Sequence, residues 1–179
     1  MATSFVLLSS VTVGAGGSAY VEFTSISQSY EDLFVKASVR TAAGSVASNF
    51  NFQMGGITTG YTARNWLANF NGNTLESGAE TSNRSDGARQ YANGSSALSN
   101  LFTSLDFYFP NYTSSSHKIV YIDNAVSNNT AIGAGDAFIA QNSVLLQNTS
   151  AITSLKFYEL GSNNISQYST FYLYGISNA

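Results

Sequence analysis

The sequence predicts an all-β protein, an antiparallel β-sandwich of jelly-roll type with about eight to ten short strands. Three observations carry that expectation. Apolar and polar residues alternate with a period of two through several segments, as in strands that bury one face. Gly, Asn and Ser punctuate those segments at short intervals, where turns need them. No segment carries the 3.6-residue apolar stripe of an amphipathic helix.

Composition agrees with a folded β domain. About a third of the 179 residues are Ser, Thr or Asn, a texture that alone would suggest disorder. Twelve Phe and eleven Tyr argue against it, because disordered chains are poor in aromatics. Only 9% of residues are charged, so the surface is neutral and rich in hydroxyls and amides. One domain with a single core fits this length.

The clearest strand runs from about Asp32 to Thr41. Leu33, Val35, Ala37 and Val39 share one side of it, and Phe34, Lys36, Ser38 and Arg40 the other. Before it, Ser4 to Val13 and Ser18 to Ile26 read as two strands joined in hairpin fashion at Gly14-Ala-Gly-Gly. After it, Asn49 to Met54 places Phe50, Phe52 and Met54 on one face. From Ile57 to Asn100 the alternation weakens, and the segment reads as one or two short strands carrying a long Gly/Ser/Asn-rich excursion. Leu101 to Phe109 alternates again, with Leu105, Phe107 and Phe109 opposite Phe102, Asp106 and Tyr108. Pro110 ends it, having no amide hydrogen for the ladder. Further strands are expected at His117 to Ala125, Asp136 to Leu146, Ala151 to Leu160 and Tyr168 to Ile176.

The charge pattern and motifs exclude more than they assign. The net charge is −3 and the seven basic residues form no run, so nucleic acid is not an expected partner. The N-terminal apolar run stops at Leu8, too short for a membrane span, and lacks the charged start of a signal peptide. The one histidine, His117, follows Ser114-Ser-Ser, but neighbours in a turn do not supply nucleophile-base geometry. Glu31-Asp32, Glu76 and Glu80 read as solvated carboxylates, with nothing to set them at a glycosidase separation. Asp123, Asp136 and Asn128-Asn129 lack the spacing of a calcium loop. Neither an enzyme nor a cofactor is expected. Trp66, with Arg64 beside it and Tyr61 and Tyr91 in the same region, has two readings. It either covers the end of the core or contacts a ligand or partner by stacking.

Four segments carry a resemblance: Tyr30-Glu-Asp-Leu-Phe-Val, Phe107-Tyr-Phe-Pro-Asn-Tyr-Thr, Ala151-Ile-Thr-Ser-Leu and Ser169-Thr-Phe-Tyr-Leu-Tyr-Gly-Ile. Together they resemble small β-sandwich virion proteins of tailed phages, notably cyanophages. The likeness covers Ser25 to Ile176 except for the Asn49 to Ser99 region, with Glu31 where that pattern has Thr. The resemblance implies a virion component made in the host cytoplasm, a capsid decoration or cement protein. Its expected partners are the major capsid protein, other virion proteins and copies of itself, as a homo-oligomer and in particular a trimer. Phe5, Val6, Leu7 and Leu8 are the expected docking strand, free to add to a sheet edge. The alternative is a receptor- or carbohydrate-binding tail appendage that uses Tyr61, Trp66 and Tyr91 as stacking groups.

Overall fold

The computed structural model describes residues 4–69, 74–87, 90–127 and 138–177. They form an antiparallel β-sandwich of twelve strands, more than the eight to ten expected. The strands are β1 (Ser4–Thr12), β2 (Tyr20–Phe23), β3 (Asp32–Val39), β4 (Ala47–Met54), β5 (Tyr61–Asn69) and β6 (Thr74–Arg84). They continue with β7 (Gln90–Asn93), β8 (Thr103–Phe109), β9 (Lys118–Val126), β10 (Phe138–Leu146), β11 (Leu155–Glu159) and β12 (Thr170–Ser177). The larger sheet has the order β1-β12-β3-β8-β9-β10-β5-β6 and the smaller one β2-β11-β4-β7. The chain passes back and forth between the layers, as jelly-roll sandwiches do.

The alternation read in the sequence sets the two faces of the larger sheet. Leu33, Val35 and Val39 of β3 and Leu105, Phe107 and Phe109 of β8 point inward and are buried. Phe171 and Leu173 of β12 and Val120 and Ile122 of β9 join them. The smaller sheet answers with Phe50, Phe52 and Met54 of β4 and Leu155 and Phe157 of β11, all fully buried. The two layers meet ring on ring. Phe157 stands 5.1 Å from Phe107, 5.6 Å from Phe171 and 6.3 Å from Phe52, measured between ring centroids. Phe52 in turn lies 5.5 Å from Phe107 and 5.9 Å from Phe109. Offset and edge-on ring pairs of this kind add about 0.5–1.5 kcal/mol each beyond the area they bury.

Two expectations about connectivity are corrected. The Gly14-Ala-Gly-Gly break is not a hairpin: β1 lies in the larger sheet and β2 in the smaller. Gly16 and Gly17 take φ of 89° and 75°, and a Cβ on Gly17 would stand 2.6 Å from the Ile165 carbonyl oxygen. This corner therefore moves the chain between layers where a side chain does not fit. The expected excursion from 57 to 100 holds three strands. β5 and β6 extend the larger sheet, and β7 closes one edge of the smaller one. Between them the chain is tied to β4. Gly87 N–H donates to the Phe52 carbonyl at 2.8 Å, so close that a Cβ on Gly87 would meet the Phe52 ring at 2.1 Å.

Phe157 holds the layers together through rings on both of them, so Phe157→Ala is expected to cost about 3–5 kcal/mol of unfolding free energy. Phe5→Ala, at a position 60% exposed, should cost well under that. Urea unfolding of the two variants checks the contrast.

Candidate functional site

The four segments that carry the phage resemblance converge at one end of the sandwich. Asp32, buried at the start of β3, accepts hydrogen bonds from the Tyr108 hydroxyl at 2.7 Å and from the Asn111 N–H at 2.8 Å. Asn111 takes a left-handed φ of 49° just past Pro110, which turns its amide back toward that carboxylate. The Tyr112 hydroxyl donates to the Ser27 carbonyl, and the Tyr112 carbonyl accepts from Ile152 N–H at 3.0 Å. The Tyr30 ring lies against Gly175, where a Cβ would stand 2.4 Å from it. These residues bind one another, so the shared motif is a clasp. Asp32 is thus not the solvated carboxylate expected from the sequence: it is buried because Tyr108 and Asn111 satisfy its oxygens.

The candidate reactive groups are placed apart. His117 is exposed at the entrance to β9. The Ser114 and Ser116 carbonyls accept from the buried Lys118 ammonium at 2.7 and 2.6 Å, so that turn serves Lys118. Burial pushes the Lys118 ammonium below the usual lysine range. Asp123 is exposed on β9, while Asn128-Asn129 and Asp136 lie outside the described residues. So do the side chains of Glu76 and Glu80. No group of three His, Cys, Asp or Glu side chains that could hold a metal occurs among the described residues.

The expected docking strand is an edge strand. β1 pairs with β12 on one side only, and its other side ends the larger sheet. Phe5, Val6 and Leu7 are 60%, 40% and 52% exposed. Leu8 departs from that group: the pairing shifts between Leu7 and Ser9, and Leu8 packs against the core. Phe5 reaches Phe34 and Tyr174 across the sheet, with ring centroids 6.0 and 6.4 Å away. Register carries the aromatic row onward, because Tyr174 pairs with Phe34, Phe34 with Tyr108 and Tyr108 with Tyr121. The outer face beside the free edge is therefore aromatic across four strands.

The proposed stacking residues do not form one site. Tyr61 is fully buried, and its hydroxyl accepts from Met54 N–H at 2.8 Å, so it is a core residue. Tyr91 alternates with buried Gln90 and Ala92 on β7, which directs it to the outer face of the smaller sheet. Trp66 is 52% exposed on the opposite side of the molecule, so it does not cap the core. It pairs with Gln141, and Arg64 shares its face two residues away. Only Arg64 and Trp66 of the four stay together.

One feature was missed by the sequence reading. On the outer face of the smaller sheet, Tyr20, Gln53, Lys156, Tyr158 and Glu159 surround a depression of about 350 Å³. Outward alternation of Lys156 and Tyr158 on β11 was a readable signal for half of it. Its other half depends on β11 pairing with β2 and β4, more than a hundred residues earlier, which no local pattern discloses.

No family model matches the chain, and no curated protein matches it. Among solved structures, the chain is similar to the galectin LEC-6 of Caenorhabditis elegans, with 9% identity, 94% of this chain and 96% of that chain covered, and a TM-score of 0.36. A protein of infectious bursal disease virus, strain Gt, shares 15% identity over 98% of this chain at a TM-score of 0.16. This chain spans 42% of that viral chain. Likenesses of this size do not establish a common fold.

Four phenols are held protonated, that of Tyr112 by its burial. Burial pushes Tyr61 up to about 12, and the hydrogen bond to Asp32, with burial, pushes Tyr108 up to about 12. Burial and the Asp86 carboxylate, which accepts from the Tyr158 hydroxyl at 2.9 Å, push Tyr158 up as well. A raised phenol favours the folded state in full below its ordinary value of 10.0, and that contribution disappears as pH climbs toward 12. Stability should therefore fall steeply above pH 10, by about 1.4 kcal/mol per pH unit for a buried phenol such as Tyr61. Tyr61→Phe should flatten that decline, as read from melting temperatures across the alkaline range.

Proposed function

We propose that this protein is a structural component of a phage particle, a head decoration protein that binds capsid subunits and catalyses no reaction. The observation that carries the reading is the free edge of β1. It offers unpaired backbone along an uncharged strand whose Phe5, Val6 and Leu7 are exposed, next to the aromatic row through Phe34 and Tyr174. An extended segment of a capsid protein can add to such an edge, with backbone hydrogen bonds supplying affinity and the apolar side chains specificity. The resemblance of the clasp segments to phage virion proteins supports the same reading. In a trimer, each such contact is repeated and the contacts add through avidity.

A specific observation favours a second reading, a receptor- or carbohydrate-binding tail appendage. Trp66 is exposed beside Arg64 and Gln141 on a broad sheet face, an arrangement suited to stacking with flanking hydrogen bonds.

Leu7→Lys and Val6→Lys place a desolvation cost in the proposed interface without touching the core. Each is expected to reduce binding to heads lacking the protein by about tenfold or more, with an unchanged melting temperature. Normal decoration by both variants counts against the docking strand. Quantifying the chain in purified particles separates the readings, because hundreds of copies fit a shell lattice and a few dozen fit a tail.

A further inference from the structure

The depression on the smaller sheet lies away from β1 and from Trp66, and its composition suits a ligand. Register places its walls: Tyr158 pairs with Tyr20 on one side, and Lys156 pairs with Glu22 on one side and Gln53 on the other. Lys156 does not turn to Glu22. Its ammonium sits 4.4 Å from the centre of the Tyr20 ring and 6.0 Å from that of Tyr158, and it makes no ion pair with a described residue. Tyr20 is 46% exposed, so much of its ring stays open to solvent.

Glu159 is the second observation. It is 6% exposed, at the end of β11, yet it lines the depression. Its Oε2 accepts from the N–H of Asn163 at 2.9 Å and from Asn163 Nδ2 at 3.0 Å, whereas its Oε1 takes no hydrogen bond from a described residue. That oxygen reaches solvent within the depression, so it is an acceptor open to a hydroxyl or water. The Gln53 amide donates through Nε2 to the Ser85 carbonyl at 3.0 Å, which leaves its oxygen as a further acceptor.

We infer that this depression binds a saccharide, one pyranose ring of a glycan. The chemistry is complementary: acceptors at Glu159 Oε1 and Gln53 for sugar hydroxyls, a donor at the Lys156 ammonium, and the Tyr20 ring for the C–H face of the pyranose. The volume of about 350 Å³ falls at the small end of ligand sites, which span roughly 300–1,000 Å³. The paired acceptor and donor select a polyhydroxylated neutral ring over a simple anion, which Glu159 would repel. The site is independent of docking through β1, and it assigns sugar binding to the opposite face from Trp66.

The test uses the full chain and saturation-transfer NMR with methyl glycosides of glucose, galactose, mannose, N-acetylglucosamine and glucuronic acid. At least one neutral glycoside is expected to bind, with affinity falling about tenfold in both Tyr20→Ala and Glu159→Gln. Trp66→Ala should bind as the parent does. Tyr20 is a surface residue whose removal leaves the core intact, so it guards against a Glu159 variant that folds poorly. The inference is overturned if no glycoside receives saturation, if Tyr20→Ala binds unchanged, or if Trp66→Ala alone abolishes binding. Head binding by the β1 variants is unaffected by any of these outcomes.

Discussion

The contact on which this molecule depends is that of Phe157 with rings on both layers. β11 is a short strand, but it sits inside the smaller sheet, and its Phe157 touches Phe107 and Phe171 across the gap and Phe52 beside it. Because ring packing fixes both distance and tilt, the smaller sheet is held in one position over β8 and β12. The exposed features inherit that fixity. The outer face of β11 is the reverse side of Phe157, so Lys156 and Tyr158 are displayed only where Phe157 is anchored.

At the end of the sandwich the constraint is polar. Asp32 gathers Tyr108 and Asn111, while Tyr112 joins Ser27 to Ile152. The buried carboxylate accepts from both the Tyr108 hydroxyl and the Asn111 N–H, so its own burial is offset. This accounts for the pattern of the resembling segments. What they contain is a set of residues that meet each other.

Much of the fold was legible because β3, β8, β9 and β12 alternate cleanly. In each, the inward set is mostly aliphatic or aromatic, Thr103 on β8 and Lys118 and Asn124 on β9 being polar exceptions, and the register is set by a dry face. The pattern failed where a buried polar side chain is answered from far away. Asn51 on β4 is buried because its amide donates to Asp86 at 3.0 Å, 35 positions later. On β5 the usual order is inverted, with Asn65 on the inner side and Trp66 on the outer, so the segment reads as loop. The same phase decides between the two readings of Trp66, which is exposed, and moves Tyr61 from a stacking group to the core. Size and apolarity favour burial for either, but only Tyr61 falls on the inward phase of its strand. Of the candidate sites, the β1 edge was readable as an uncharged terminal strand, and the depression around Tyr20 was not, since it is assembled from three strands distant in the chain.

The shift of pairing at Leu7 and Ser9 has a consequence for stoichiometry. An unbroken, uncharged edge of nine residues invites copy after copy to add on, and such growth ends in fibres. The irregularity twists the strand midway and takes Leu8 out of the outward row. A visiting strand can then follow the ladder along one half of β1 and loses its alignment at the next. Any association along this edge is thereby short and terminated.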